Sequence, residues 1–246
     1  MVTNWPDCGW RRIGSDARLA AWAKAALPVA EAVIAGSPEP WRCGGTWFVG
    51  VDALPNDADG AVGGVAFPWA ALPLAPEPLH RAQLSVIRSG YPQPSAEETP
   101  SAFRYRLTRD GAHLDGVLAV GPDKRRMIKE PHGWIMGLPL NDSDASPLVV
   151  WEGSHLVMQA VLLAALRDNP VKTWGEVDIT DAYKAARTQV FQTCRRVALS
   201  VRPGEATLIH RLLVHGVAPW TSEASDRIVA YFRPQMASVA DWLCRP

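Results

Sequence analysis

Apolar residues along this chain fall into short, β-branched or aromatic runs, and only a few stretches repeat them at helical spacing. Ser15 to Ala35 is alanine-rich with apolar positions three and four apart, which predicts a helix capped by Ser15 and ended by Gly36, with Pro28 kinking or splitting it. A second helix is expected from His155 towards Arg167 with Ser154 as its cap, and a shorter one over Thr180 to Gln189. The runs Gly44 to Val51, Ala82 to Arg88, Trp134 to Leu140, Leu148 to Trp151, Val197 to Val201, Ala206 to Ile209 and Ile228 to Phe232 predict strands, and Phe103 to Leu107 continues an extended pattern. Between them, Asn56 to Gly60 and Tyr91 to Pro100 are turn and loop sequence, and Lys124-Arg125-Arg126 reads as a solvated basic turn. Asn141 to Asp144 has the acidic start of a calcium loop but neither its glycine nor its distal glutamate, so it too predicts a turn. Ala61 to Pro78 carries no pattern that assigns it.

Short strands at this spacing, with helices at the front and in one insertion, predict a mainly β fold with flanking helices, a sandwich or jelly roll, and not alternating βαβ units. The length of 246 residues fits one domain. No glycine-rich phosphate-cradling sequence opens a helix. Twenty-five basic residues balance twenty-five acidic ones, so no net field recruits nucleic acid or an anionic membrane surface. No apolar run approaches the ~20 residues of a membrane span, and the first residues lack a basic-then-apolar leader pattern, so a cytoplasmic protein is expected. Cys8, Cys43, Cys194 and Cys244 have no C-x-x-C pairing, which predicts reduced thiols.

The chemistry concentrates in His113-Leu114-Asp115. On a strand these two polar side chains project to one side while Leu114 goes to the other. A second histidine would complete a two-histidine, one-carboxylate set that holds iron(II) on one face and leaves other positions open. His215, before Gly216, is the candidate for that histidine. Arg227 opens the following apolar strand, where its planar fork can grip a carboxylate with two parallel bonds. Arg233 shares Arg227's strand face and is a further pocket candidate. So are Gln83, which with Ser85 forms a polar stripe more often solvated than lining a pocket, Trp134, whose default is core packing, and His210, a candidate partner of a ligand. Arg104, Arg106 and Arg109 could meet an anionic substrate, although a solvent-facing edge is their default. Zinc accepts the same donors, so a zinc-dependent hydrolase or a cupin-type isomerase stays open, as does a non-catalytic jelly-roll binding protein.

His113-x-Asp115, Gly153-Ser154-His155 after a strand, and Gly204-Glu205 leading through His210 to His215-Gly216 and Arg227 occur here in an order that resembles the phytanoyl-CoA dioxygenase-like family of iron(II)/2-oxoglutarate-dependent oxygenases. The likeness covers roughly Phe103 to Pro234. It implies a double-stranded β-helix of the jelly-roll, cupin-like kind. His113, Asp115 and His215 would be the iron ligands and Arg227 the partner of the distal carboxylate of 2-oxoglutarate. It further implies a dioxygenase that hydroxylates a small molecule, using dioxygen and releasing succinate and carbon dioxide. Related halogenases replace the carboxylate with a small residue, so Asp115 points to hydroxylation. Val217 stands where many members have a serine that helps bind the co-substrate. The resemblance divides the chain into an N-terminal helix with supporting strands over 1–100 and a metal-binding core over 101–236, in a single oxygenase domain.

Overall fold

The computed structural model describes residues 5–96, 98–221 and 225–244. Its strands are β1 (Trp10–Ile13), β2 (Trp47–Gly50), β3 (Gln83–Ile87), β4 (Val117–Val120), β5 (Arg125–Ile128), β6 (Trp134–Pro139), β7 (Leu148–Glu152), β8 (Arg195–Leu199), β9 (Ala206–His210), β10 (His215–Val217) and β11 (Arg227–Phe232). The helices are α1 (Trp5–Cys8), α2 (Ala17–Gly36), α3 (Pro100–Arg109), α4 (Ser154–Leu166), α5 (Thr180–Thr193) and α6 (Val239–Cys244). One antiparallel sheet has the order β1-β9-β6-β11-β3-β2, a second has the order β10-β7-β8, and β4 and β5 form a separate hairpin. An isolated bridge between His113 and His215 adds the His113 segment to the free edge of the smaller sheet. From β3 onward the chain crosses between the two sheets at nearly every step, which is the path of a double-stranded β-helix.

Alternation along the strands decides what faces what. Leu84, Val86, Met136, Leu138, Leu208, Ile228, Ala230 and Phe232 point out of the larger sheet and bury against Leu19, Trp22, Ala23, Ala26 and Ala30 of α2. On the smaller sheet Val149 and Trp151 face outward, towards Met158 and Leu162 of α4, Tyr183 and Val190 of α5 and Trp242 of α6. Between the sheets lie Ile135, Leu148, Val150, Leu199 and Ile209. Fully burying Trp22 is worth on the order of 2–3 kcal/mol of transfer free energy, so α2 is fixed to the sheet mainly by that face.

Several expectations are corrected. Residues 103–107 are not extended but lie in α3, where Thr99 caps the helix by accepting from the Ala102 N–H at 3.3 Å and Pro100 takes the first turn. α2 runs through Pro28 as one helix and is capped by Asp16, not Ser15. With 20 residues it is long and apolar enough to cross a membrane by those two measures, contrary to the reading that no segment is. Ser154 does not cap α4; its hydroxyl accepts from the Val214 N–H at 2.9 Å, and left-handed Gly153 precedes the helix. Arg125 and Arg126 belong to β5, with only Lys124 in the turn. Cys43, Cys194 and Cys244 are free thiols.

Candidate metal centre

His113 and Asp115 do not share a regular strand. His113 pairs with His215 through two backbone bonds, His113 N to His215 O at 2.8 Å and the reverse at 3.0 Å, and Asp115 begins the turn that follows. Directly opposite residues of an antiparallel pair project to the same face, so the bridge sets the two imidazoles side by side with ring centroids 4.7 Å apart. Asp115 Oδ1 lies 3.1 Å from His113 Nε2 and 3.7 Å from His215 Nε2. One donor atom from each of the three lies within 4.8 Å of the others.

The tautomers are fixed from behind. His215 Nδ1 is 2.8 Å from the Leu213 carbonyl and His113 Nδ1 is 3.1 Å from the Gly111 carbonyl. A carbonyl only accepts, so both Nδ1 atoms donate; in the neutral rings each Nε2 then offers a lone pair, and His113 Nε2 donates to Asp115 only when that ring takes up a second proton. Three acceptors converging on one point leave a place for a proton or a divalent cation. The charges respond accordingly. Burial works against a charge on His113, but the hydrogen bond and charge of Asp115 outweigh it and raise its pKa. Burial pushes His215 down to about 4. For Asp115 burial acts upward, yet the His113 hydrogen bond and the charges of His215, His113 and Arg233 hold the carboxyl well below the usual range.

The outer oxygen of Asp115 is also taken. Arg233 Nη1 donates to Oδ2 at 3.0 Å and Arg233 Nη2 to Gln83 Oε1 at 2.5 Å. Gln83 and Ser85 therefore face inward, with Ser85 only 3% exposed, which corrects the reading of a solvated stripe. The cleft over the three donors is otherwise walled by Trp47, Ile135, Leu148, Ile209, Val217 and Tyr231.

Arg227 lies on the same inward face of β11 and does not itself line this cleft, but its Nη2 donates at 3.3 Å to the hydroxyl of Tyr231, which does. It is 5% exposed, and its Nη1 is buried with no hydrogen-bond partner. Trp134 and His210 are not brought to this cleft. They share strand parity with Met136 and Leu208, so they face the opposite side of the larger sheet and line a separate cleft with Arg11 and Leu74. There Trp134 Nε1 donates to Glu77 at 2.8 Å, and burial and the Arg211 charge push His210 down to about 3. Arg106 is not a solvent edge either: its Nε meets Glu98, 7% exposed at the side chain, at 2.7 Å.

No protein-family model matches the chain, and no curated protein sequence does. Among solved structures it is similar to SnoK, a non-heme alpha ketoglutarate dependent carbocyclase from nogalamycin biosynthesis, at 18% identity over 96% of this chain and 85% of that one with a TM-score of 0.49. It is similar to HygX from Streptomyces hygroscopicus with nickel and 2-oxoglutarate bound, at 14% identity over 94% and 84% of the two chains with a TM-score of 0.46. A third is EctD from S. alaskensis with bound Fe, at 16% identity over 93% and 73% with a TM-score of 0.44. At these values the likeness does not decide the chemistry of this chain, which rests on its own strands and side chains.

Proposed function

We propose that the protein is an iron(II)/2-oxoglutarate-dependent dioxygenase of the phytanoyl-CoA dioxygenase-like kind that hydroxylates a small molecule, working as one oxygenase domain. The observation that carries this reading is the convergence of His113, Asp115 and His215 beneath a cleft whose Tyr231 wall is hydrogen-bonded to Arg227, a buried guanidinium with an unused donor. A structural metal site would have no need of that arginine.

The residues fit both groups. Two neutral imidazole nitrogens and one carboxylate oxygen are the donor set of a non-heme iron site with open positions. Arg233 binds Oδ2 of Asp115 and so directs Oδ1 alone at the cation. Both Nη atoms of Arg233 are committed, whereas Nη1 of Arg227 is not, which makes Arg227 the guanidinium for the distal carboxylate of the co-substrate. Tyr231, bonded to Arg227 and lining the cleft, is the hydroxyl that would share that carboxylate. Ile135, Leu148, Ile209 and Val217 keep the cleft apolar, which strengthens the ion pairing inside it and excludes water from the reacting centre. When bound, iron(II), 2-oxoglutarate and dioxygen together supply the oxidant for an unactivated C–H bond, with release of succinate and carbon dioxide.

The test is an anaerobic titration with iron(II) and then 2-oxoglutarate, followed by the visible metal-to-ligand charge-transfer band. A band that saturates with 2-oxoglutarate is the expected result. Tight zinc binding with no band in the wild-type protein would remove the oxygenase reading in favour of a zinc hydrolase.

A further inference from the structure

A second cleft reaches the same three residues from outside the barrel. His113, Asp115 and Arg233 line both, but the second runs outward between α3 and α5 and is walled by Tyr105, Arg106, Arg126, Tyr183 and Arg187. The two clefts differ in chemistry. Beyond the metal donors, Arg233, Tyr231 and the Gln83–Ser85 stripe the first is apolar, while the second adds the guanidiniums of Arg106, Arg126 and Arg187 and the phenols of Tyr105 and Tyr183.

Not all of that positive charge is spent. Arg106 is paired with Glu98 and Arg233 with Asp115. Among the described residues no carboxylate lies within ion-pair distance of Arg126 or Arg187. Glu130 also borders the cleft, half exposed and 3.8 Å from His132 Nε2, so the balance of unpaired groups stays positive.

Arg187 is held firmly for a long surface-helix side chain. Its Cζ lies 4.7 Å from the Tyr105 ring centre and 5.3 Å from that of Tyr183. Nη2 donates to the Tyr105 hydroxyl, and Nε is buried with no hydrogen-bond partner. Arg126 approaches the Tyr183 ring with its Cζ 6.0 Å from the centre. Both phenols are tied to the metal-binding segment itself. The Tyr105 hydroxyl donates to the Ala112 carbonyl at 2.6 Å, and the Tyr183 hydroxyl accepts from the Leu114 N–H at 3.3 Å. The guanidinium of Arg187 is thus positioned relative to His113 and Asp115 through one tyrosine. A stacked, pre-oriented guanidinium with unused donors is a receptor for an oxyanion.

We propose that this outer cleft is the site of the primary substrate, and that the substrate is a small molecule carrying a carboxylate or phosphate that Arg187 and Arg126 bind while its reacting carbon faces His113 and Asp115. The assignment of the reacting carbon rests on the oxygenase reading; the oxyanion site does not.

Calorimetric titration of metal-free protein tests it with three probes: 3-phenylpropionate, phenyl phosphate and the neutral 3-phenylpropanamide. The anionic probes should bind about tenfold or more tightly than the amide. Arg187→Met should erase that preference, Arg187→Lys should restore part of it, and Arg126→Met should reduce it, with unfolding transitions recorded to show that each variant folds. A stronger response to phenyl phosphate than to phenylpropionate would assign the phosphate class, and the reverse the carboxylate class. Equal binding of anion and amide, no binding of either anion, or an anion preference that survives both methionine variants would overturn the proposal. Because no metal is present, the result is independent of the charge-transfer band. An absent band with a working anion site removes only the oxygenase reading, and a normal band without anion preference removes only this one.

Discussion

Arg227→Met gives two effects of opposite sign, and their combination separates a ligand-binding arginine from a structural one. In the ligand-free protein Arg227 is 5% exposed, makes one long hydrogen bond of 3.3 Å to Tyr231, and leaves Nη1 buried and unpartnered. A buried charge with so little compensation is a cost to folding, and an unbranched apolar side chain of similar length removes it. The variant is therefore expected to be as stable as wild type in urea, or more stable by about 1–2 kcal/mol. With 2-oxoglutarate the sign reverses. Losing one partner of a buried, doubly hydrogen-bonded charge pair costs about 2–5 kcal/mol, which is roughly 30- to 4000-fold in Kd. Arg227→Lys keeps the charge and loses the fork, so it should fall between the two. Iron affinity should change little, because among the described residues His113, Asp115 and His215 share no hydrogen bond with Arg227. The assay is the anaerobic charge-transfer titration beside urea unfolding of the same samples. A methionine variant that is destabilised by several kcal/mol and still binds 2-oxoglutarate with wild-type affinity would refute the reasoning, since Arg227 would then be a structural residue whose partner lies elsewhere.

Arg233→Met leaves Asp115 Oδ2 without its donor and frees the carboxylate to turn, so iron(II) affinity should fall about 10- to 100-fold while a saturated sample still binds 2-oxoglutarate; unchanged iron affinity by competition with a chelating dye would show that the Arg233 contact does not position the ligand. Gly216→Ala should cost both stability and metal, because a Cβ there would overlap the Asp110 carbonyl oxygen and sit 3.1 Å from Ala112 N; a variant that melts and binds iron as wild type does would mean the turn moves freely. His215 makes the metal-free protein sensitive to acid. Its pKa is about 4 in the folded protein against 6.5 unfolded, so the unfolded chain takes up its proton first as pH falls. The stability contributed by the neutral ring is complete above about 6.5 and declines towards 4, by about 3 kcal/mol in all. In chelator, His215→Asn should remove that part of the pH dependence in urea midpoints, and parallel curves for the two proteins would contradict it.

How far these residues could be read from sequence follows from what strand parity reveals and what it hides. His113 and Asp115 two apart, and Arg227 and Arg233 six apart, share a face wherever the chain is extended. The inward character of Gln83 and Ser85 was hidden, because a polar stripe looks the same whether it meets water or a metal's surroundings. Trp134 and His210 failed for the converse reason. β6 is buried on both sides, and nothing local says which side holds the site. α3 was missed although Thr99-Pro100 is a helix start, because the apolar residues after it also fit an extended run. Tyr105, Arg126, Tyr183 and Arg187 gave no signal, since the cleft they form joins two helices and a hairpin that are distant in sequence.

The metal site is built less by a sheet than by a turn fastened to one. Asp110 adopts a left-handed conformation with φ 55°, and its carbonyl accepts the Val217 N–H at 2.9 Å while Gly216 lets the two backbones touch. Its carboxylate is gripped by Arg196 through two bonds of 2.7 and 2.6 Å. Tyr105 and Tyr183 hold the next residues of the turn from the other side. Every peptide from Asp110 to Leu114 is thus tied to an element whose position does not depend on a cation. With His113 held this way, His215 on β10 and the Asp115 carboxylate fixed by Arg233, the ligands lose little conformational freedom when a metal arrives, so binding free energy is not diverted into ordering the loop. The same fastening couples the two clefts: a group that displaces Tyr105 or Tyr183 in the outer cleft pulls directly on the peptides that aim His113 and Asp115.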